Sequence, residues 1–312
     1  MKIPTIKIAI LILFLAACPS FAKAKELWLK NIPVKQLQNL YQQADYIGER
    51  GYLMLPSNQY PKIFLKNFPE NYTSITDEKE RNALFIKIMA PLALKLNEEL
   101  SAERQIITEI QSRFTKNNKL SQKDIDTIEK KSKKYDIFTR LKGVSRHRLL
   151  LKELSDRIDR IPPSIIITAA AIETNWGASR IVKEGNSLYK MLQWHTDKGL
   201  KPIGENTDNS YRIKTYPDIY ASIKDYALKI NSHPSFAMLR SIRSELRALN
   251  NLQSGSLLAP YVYGSSNLDN YAGLFDYTLA YYELSNIDNA TLIDSELTAT
   301  VQKKFSSYIS KM

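Results

Sequence analysis

Two prolines followed by a run of apolar residues constrain this chain more than any other feature. The stretch reads Ile161-Pro162-Pro163-Ser164-Ile165-Ile166-Ile167-Thr168-Ala169-Ala170-Ala171-Ile172-Glu173-Thr174-Asn175-Trp176-Gly177. Proline suits the start and first turn of a helix, where its missing N–H costs nothing. The residues after it read as one helix, with Ile165, Ala169, Ile172 and Trp176 on a single apolar stripe. Gly177 is placed to end that helix in a left-handed cap. Ala169, Ala170 and Ala171 have little bulk, so neighbouring elements can approach closely.

One carboxylate, Glu173, interrupts this apolar element in its last turn. Ala169, Ala170 and Trp176 are its i±3 and i±4 neighbours. Desolvation by those groups and the negative end of the helix dipole both disfavour its ionised form. A carboxyl that keeps its proton near neutral pH is what a glycosidase uses as a general acid. The plainer reading of the same residue is a solvent-facing Glu on an amphipathic helix.

The stretch resembles the N-acetylglucosaminidase domain of bacterial cell-wall hydrolases, glycoside hydrolase family 73, and within it the Bax-type envelope proteins of Gram-negative bacteria. The resemblance rests on Ile161-Pro162-Pro163-Ser164, Ala170-Ala171-Ile172-Glu173-Thr174-Asn175-Trp176-Gly177, Ser179-Arg180, and Glu184-Gly185-Asn186-Ser187-Leu188-Tyr189. Two positions depart from the family pattern: Ala169 stands where Gln is usual, and Lys190 where Gly is usual. The resemblance implies a mainly α, lysozyme-like α+β domain with a small β lobe, preceded by a helical N-terminal region. It implies that Glu173 donates the proton to the glycosidic oxygen. It also implies cleavage of the β-1,4 bond after N-acetylglucosamine in peptidoglycan glycan strands, with no cofactor.

With 312 residues and 44% apolar content the chain can bury one good core and a second small one. Residues 1–24 read as a signal peptide: Lys2 and Lys7 precede an apolar run from Ile8 to Ala17, too short to span a bilayer of roughly 30 Å. Two processing readings stand. Ala22-Lys23-Ala24 fits a cleavage site that releases a soluble periplasmic protein. Leu15-Ala16-Ala17-Cys18 fits a lipobox, in which Cys18 would be lipidated and anchor an outer-membrane lipoprotein. Cys18 is the sole cysteine, so no disulfide forms beyond it. His147, His195 and His233 lack metal-ligand spacing, and no metal site is expected. The net charge is +12, and removing residues 1–24 takes out three lysines and no acid, leaving +9. In an exported chain that surplus points to anionic envelope polymers rather than nucleic acid.

The order of elements suggests residues 25–135 as a helical support region, 136–287 as the glucosaminidase domain and 288–312 as a polar tail. Val34 to Ile47 is a short candidate helix. A long helix starts at Asp77 and should kink or split at Pro91, with a second helical run over Glu103 to Phe114. Ser121 and Asp124 have the spacing of a capping box. The lysines from Lys130 to Lys134 read as a solvated face. Gln193 to Pro202 reads as a turn or short hairpin and Tyr211 to Tyr216 as a strand, together the small β lobe. Pro217-Asp218 opens an amphipathic helix with Ile219, Ile223, Tyr226, Ala227 and Ile230 inward, and Tyr271 to Leu284 is a last core helix.

Glycoside hydrolysis usually needs a second group, a base or a nucleophile. Glu205 in the lobe is the candidate, with Asp208 and Asp197 near it, unless the substrate's own acetamido group serves. Aromatic rings stack on sugars, and ten of the eighteen tyrosines lie between Tyr211 and Tyr282. Tyr189 and Trp194 are the candidate platforms. Tyr271 and Asn186 join them as substrate contacts, and Trp176 is chiefly a packing partner of Glu173. A monomer is expected. Two other functions fit the same helix: a lytic transglycosylase, and a non-catalytic envelope-binding protein.

Overall fold

Pro91 shows how the architecture is assembled. The computed structural model describes residues 26–46, 58–203, 210–249, 254–263, 270–294, 297 and 299–310. In chain order its N-terminal half holds β1 (Leu27–Leu29), α1 (Val34–Gln43), β2 (Gln59–Pro61), β3 (Ile63–Leu65), α2 (Glu78–Asn117), α3 (Gln122–Lys134) and α4 (Gly143–Arg157). Pro91 does not split α2, which runs unbroken for 40 residues, roughly 60 Å at 1.5 Å per residue. The expected separate helix over Glu103 to Phe114 is its second half. Proline cannot donate to the carbonyl four residues back, that of Lys87. The buried Tyr46 hydroxyl donates to that oxygen instead, at 3.0 Å. A neighbouring segment thus repairs the break.

Both ends of α2 follow from local chemistry. Asp77 accepts from the backbone N–H groups of Lys79 and Glu80, and Asn118 closes the helix in a left-handed conformation. The capping box of α3 forms as the spacing suggests, with Ser121 and Asp124 bonding each other's backbone. The lysine run differs from a purely solvated face. Lys131 and Lys134 turn onto Glu103 of α2, at 2.6 and 2.9 Å.

The second half holds α5 (Pro163–Thr174), α6 (Arg180–Gly185), β4 (Leu192–Trp194), β5 (Tyr211–Ile213), α7 (Ile219–Ser232), α8 (Ala237–Ala248), α9 (Gly255–Leu258), α10 (Tyr271–Tyr281), β6 (Thr291–Ile293) and α11 (Ala299–Lys304). Every residue of α5 from Pro163 to Ala171 is buried, so the helix has no single apolar stripe. Three isoleucines and three alanines in succession are apolar on all sides, and such a helix goes to the centre of a core. It packs among α2, α10, α9 and the 3-10 turns over Leu284–Asn289.

One apolar core gathers Leu29, Phe64, Phe85, Ile166, Ile223, Phe275 and Phe305, from nearly the full length of the chain. A smaller one holds Ile107, Phe114, Ile128, Leu150 and Leu154, where α3 and α4 flank the second half of α2. The two divide within α2. β4 and β5 pair antiparallel as a small lobe, while β1 pairs parallel with β3 and β2 with β6. The β2–β6 pairing corrects the view of residues 288–312 as a polar tail: its strand closes onto the N-terminal region, and the Ser310 N–H donates to Trp28 O at 2.8 Å. Among the described residues no helix is long and apolar enough to cross a membrane.

Candidate active site

The carboxyl of interest stands where α5 ends, and that end is tightly built. Thr174 turns its hydroxyl back onto the carbonyl of Ala170 at 2.5 Å and accepts from the N–H of Gly177 at 2.9 Å. Three consecutive residues then take positive φ: Asn175 (49°), Trp176 (56°) and Gly177 (79°). The cap is therefore Asn175, two residues earlier than the expected Gly177. A left-handed tryptophan is a true outlier, and strain of about 1–3 kcal/mol at such a position persists only where its surroundings enforce it.

The surroundings come from both halves of the chain, chiefly the N-terminal one. The Trp176 ring meets Phe85 edge-on at 5.6 Å and Tyr282 at 4.6 Å. The Tyr72 hydroxyl lies 2.9 Å from the carbonyl oxygens of both Trp176 and Arg81 and can donate to either. Gly177 is needed twice over. Its φ is left-handed, and a Cβ there would stand 2.9 Å from the Phe68 ring.

Glu173 is half-buried on the turn so fixed. Among the described residues its carboxyl has no hydrogen-bond partner. Burial pushes its pKa above the ordinary carboxylate range, while the ammonium groups of Lys190 and Lys229 pull it partly back. Its charge is in turn felt by the phenols of Tyr226 and Tyr271 and by Lys229. Two tyrosines and two lysines thus lie within electrostatic reach of a weakly solvated carboxyl. Lys190, the departure from the family's Gly, keeps the left-handed backbone at φ 43°. The turn is retained, and a cation is added within electrostatic reach of Glu173.

The other candidates fall into distinct places. Tyr271, at the first turn of α10, is buried and tilted on Phe275 at 5.9 Å. Asn186 closes α6 at φ 49°, its amide donating to the Tyr216 carbonyl at 3.1 Å. Trp194 is 57% exposed on the lobe and leans on Tyr211 at 5.1 Å, so one side of the ring remains open. Tyr189 is corrected as a platform. Its ring is buried flat against Tyr226 with centroids 4.0 Å apart, and its hydroxyl donates to Ile166 O. No ring face is left for a sugar. Glu205, Asp208 and Cys18 lie outside the described residues.

The glucosaminidase family profile, described as mannosyl-glycoprotein endo-beta-N-acetylglucosaminidase, matches residues 150–309, half of the chain. The chain belongs to the glucosaminidase family. The glucosaminidase match begins inside α4, contains Glu173 and continues through β6 and α11. The chain is also similar to Protein bax of Escherichia coli (strain K12), at 28% identity over 173 residues. That alignment takes in 54% of this chain and 57% of the relative, so the chain spans a little over half the length of the curated protein it matches. No solved structure matches it.

Sequence reasoning missed Asp288, which organises the opposite end of the central helix of this glucosaminidase domain. Its carboxylate accepts from the Ser164 N–H (2.9 Å), the Ser164 hydroxyl (2.9 Å) and the Gly255 N–H (2.7 Å). It takes the place of a side-chain cap at the N-terminus of α5, where Pro162 offers none. Burial raises its pKa to about 6 against those three donors, which lower it. The position lies far from α5 in sequence, and no local pattern links the two. A lone Asp following a helix was the sole hint.

Proposed function

We propose that the protein is a glycoside hydrolase that cuts peptidoglycan glycan strands at the β-1,4 bond after N-acetylglucosamine, with Glu173 as general acid. The observation that carries this reading is the desolvated Glu173 carboxyl at the strained end of α5, without a hydrogen-bond partner among the described residues and with its pKa raised. Family membership supports it from outside the geometry.

A protonated Glu173 presents its hydroxyl to the glycosidic oxygen and gives up the proton as the bond to the anomeric carbon breaks. The carboxylate left behind is then stabilised by Lys190 and Lys229, the cations that already offset its burial. The second step needs water activated by a base such as Glu205, or the substrate's acetamido oxygen acting as nucleophile. Trp194, with one side of its ring open on the lobe, would offer the strand a stacking surface. General acid catalysis of this kind contributes about 10² to 10⁴ in rate.

The test is digestion of isolated sacculi, with released sugars reduced by borohydride and identified by mass spectrometry, for the wild type and Glu173→Gln. Reduced N-acetylglucosamine ends from the wild type, and none from the variant, are expected. Anhydro-muramyl ends would mean a lytic transglycosylase. Lysis by Glu173→Gln would remove Glu173 from the role, and sedimentation with sacculi without release would mean a binding protein.

A further inference from the structure

A concavity of about 580 Å³ opens between the N-terminal segment and the turn that follows α5. Three lysines line it: Lys30 just past β1, Lys66 just past β3, and Lys183 on α6. The parallel register pairs Leu29 with Leu65, and the Lys66 N–H donates to Leu29 O at 2.8 Å, so Lys30 and Lys66 sit side by side. Like charges at such a position repel. Among the described residues Glu70 is the single acid in the lining. Among the described residues the ammonium groups of Lys30 and Lys183 have no ion-pair partner.

The rest of the cleft is rigid. Phe68 forms part of its floor, stacked on Phe85 at 5.6 Å and edge-on to Tyr72 at 4.9 Å. Asn67 is held at both ends of its amide, accepting from the Asn31 N–H at 3.1 Å and donating to Phe68 O at 2.8 Å. The combination is an aromatic floor under a fixed amide rim and a cluster of cations. Its volume suits a ligand of several residues.

We propose that this cleft binds a short carboxylate-bearing peptide, the lysines taking the carboxylates and the rings its apolar part. One wall, from Lys30 to Thr73, lies outside the glucosaminidase match, whereas Gly177, Lys183 and Asn186 lie within it. The N-terminal region thereby completes a site that the matched domain lacks alone. In peptidoglycan such peptides branch from the muramyl sugar. That identification of the natural ligand rests on the function proposed above, while the binding chemistry does not.

The test is calorimetric titration of the full chain with muramyl tripeptide, with the same compound amidated at its carboxylates, and with chitotetraose. Muramyl tripeptide should bind the wild type and Glu173→Gln equally. It should bind the double variant Lys30→Glu, Lys183→Glu about tenfold or more weakly, the scale for losing and reversing two partly solvated charges. Amidation should weaken it similarly, and chitotetraose binding should not change in the double variant. Both lysines are exposed, so the variant should fold, and a thermal melt checks this; Lys183→Gln, expected to weaken binding less, serves if it does not. No binding to the wild type, equal binding of the amidated probe, or unchanged affinity in the lysine variants would overturn the proposal. Sacculus lysis by Glu173→Gln judges the catalytic reading separately.

Discussion

The two ends of α5 each carry or meet a carboxyl that burial makes reluctant to ionise, yet the two are built in opposite ways. Asp288, at the N-terminal end, is 3% exposed and its oxygens accept three hydrogen bonds. Glu173, at the C-terminal end, is half-buried and unbonded among the described residues. A raised pKa is common to both and therefore does not by itself single out a general acid. Access and unspent hydrogen-bonding capacity are what the proposed role of Glu173 rests on. Asp288 spends its oxygens on backbone N–H groups that would otherwise be orphaned, whereas Glu173 leaves its hydrogen-bonding capacity open, as the proposed general acid requires.

The comparison breaks most decisively at Glu173. Glu173→Gln should lower the lytic rate by about 10² to 10⁴ while its melting temperature stays level or rises, since a desolvated carboxyl is replaced by a neutral amide of the same shape. A clear fall in thermal stability would mean that Glu173 is structural after all. The mirror experiment is Asp288→Ala. It should cost about 2–4 kcal/mol, because two buried N–H groups and a hydroxyl lose their acceptor, and should leave the activity of the folded fraction intact. Denaturant unfolding beside a sacculus assay separates the two effects.

The pH dependence of stability sharpens the contrast. The folded pKa of Asp288, about 6, lies above the unfolded value of 3.8. The folded state therefore holds this proton more tightly. Its stabilising contribution is complete below about pH 4 and is lost as the pH rises through about 6, by up to about 3 kcal/mol. Unfolding midpoints measured between pH 4 and 7 should fall over that window, and Asp288→Asn should flatten the slope. The smallest effect concerns Lys190. Activity that needs protonated Glu173 declines as the pH rises through its raised pKa. Lys190→Ala removes one of the cations that hold this value down, so the alkaline limb should move slightly upward. Lys190 is exposed, so added salt should shrink the difference.

Much of the site was legible because it is local. The residues from Ile161 to Asn186 set a helix start, a carboxyl in its last turn and a cap within one span of sequence. The motif marks Glu173 without reference to anything distant. The cap's true position was less legible, because Thr174 ends the helix through its own hydroxyl and Phe68 and Tyr72 then hold the next turn. Burial at Tyr189 was invisible for a similar reason. A tyrosine beside a motif reads as a platform until Tyr226, on α7, is seen to cover its ring.

The sequence by itself determined that α5 is central, since a helix apolar on every side has no stable place at a surface, and that Glu173 would be poorly solvated at its end. It also determined the caps at Asp77, Ser121 and Asp218, which depend on side chains reaching their own backbone. Tertiary structure decided whether Pro91 would break α2, because the answer lay with the Tyr46 hydroxyl, forty-one residues before the Lys87 carbonyl that it reaches. It decided the fate of the C-terminal segment, whose strand has no partner until Gln59–Pro61 comes alongside. It also made Asp288 the keystone of a helix whose Ser164 lies 124 residues before it. The physical reason is the same in each case: a polar group cut off from water takes whatever partner the fold delivers, and sequence distance places no limit on where that partner comes from.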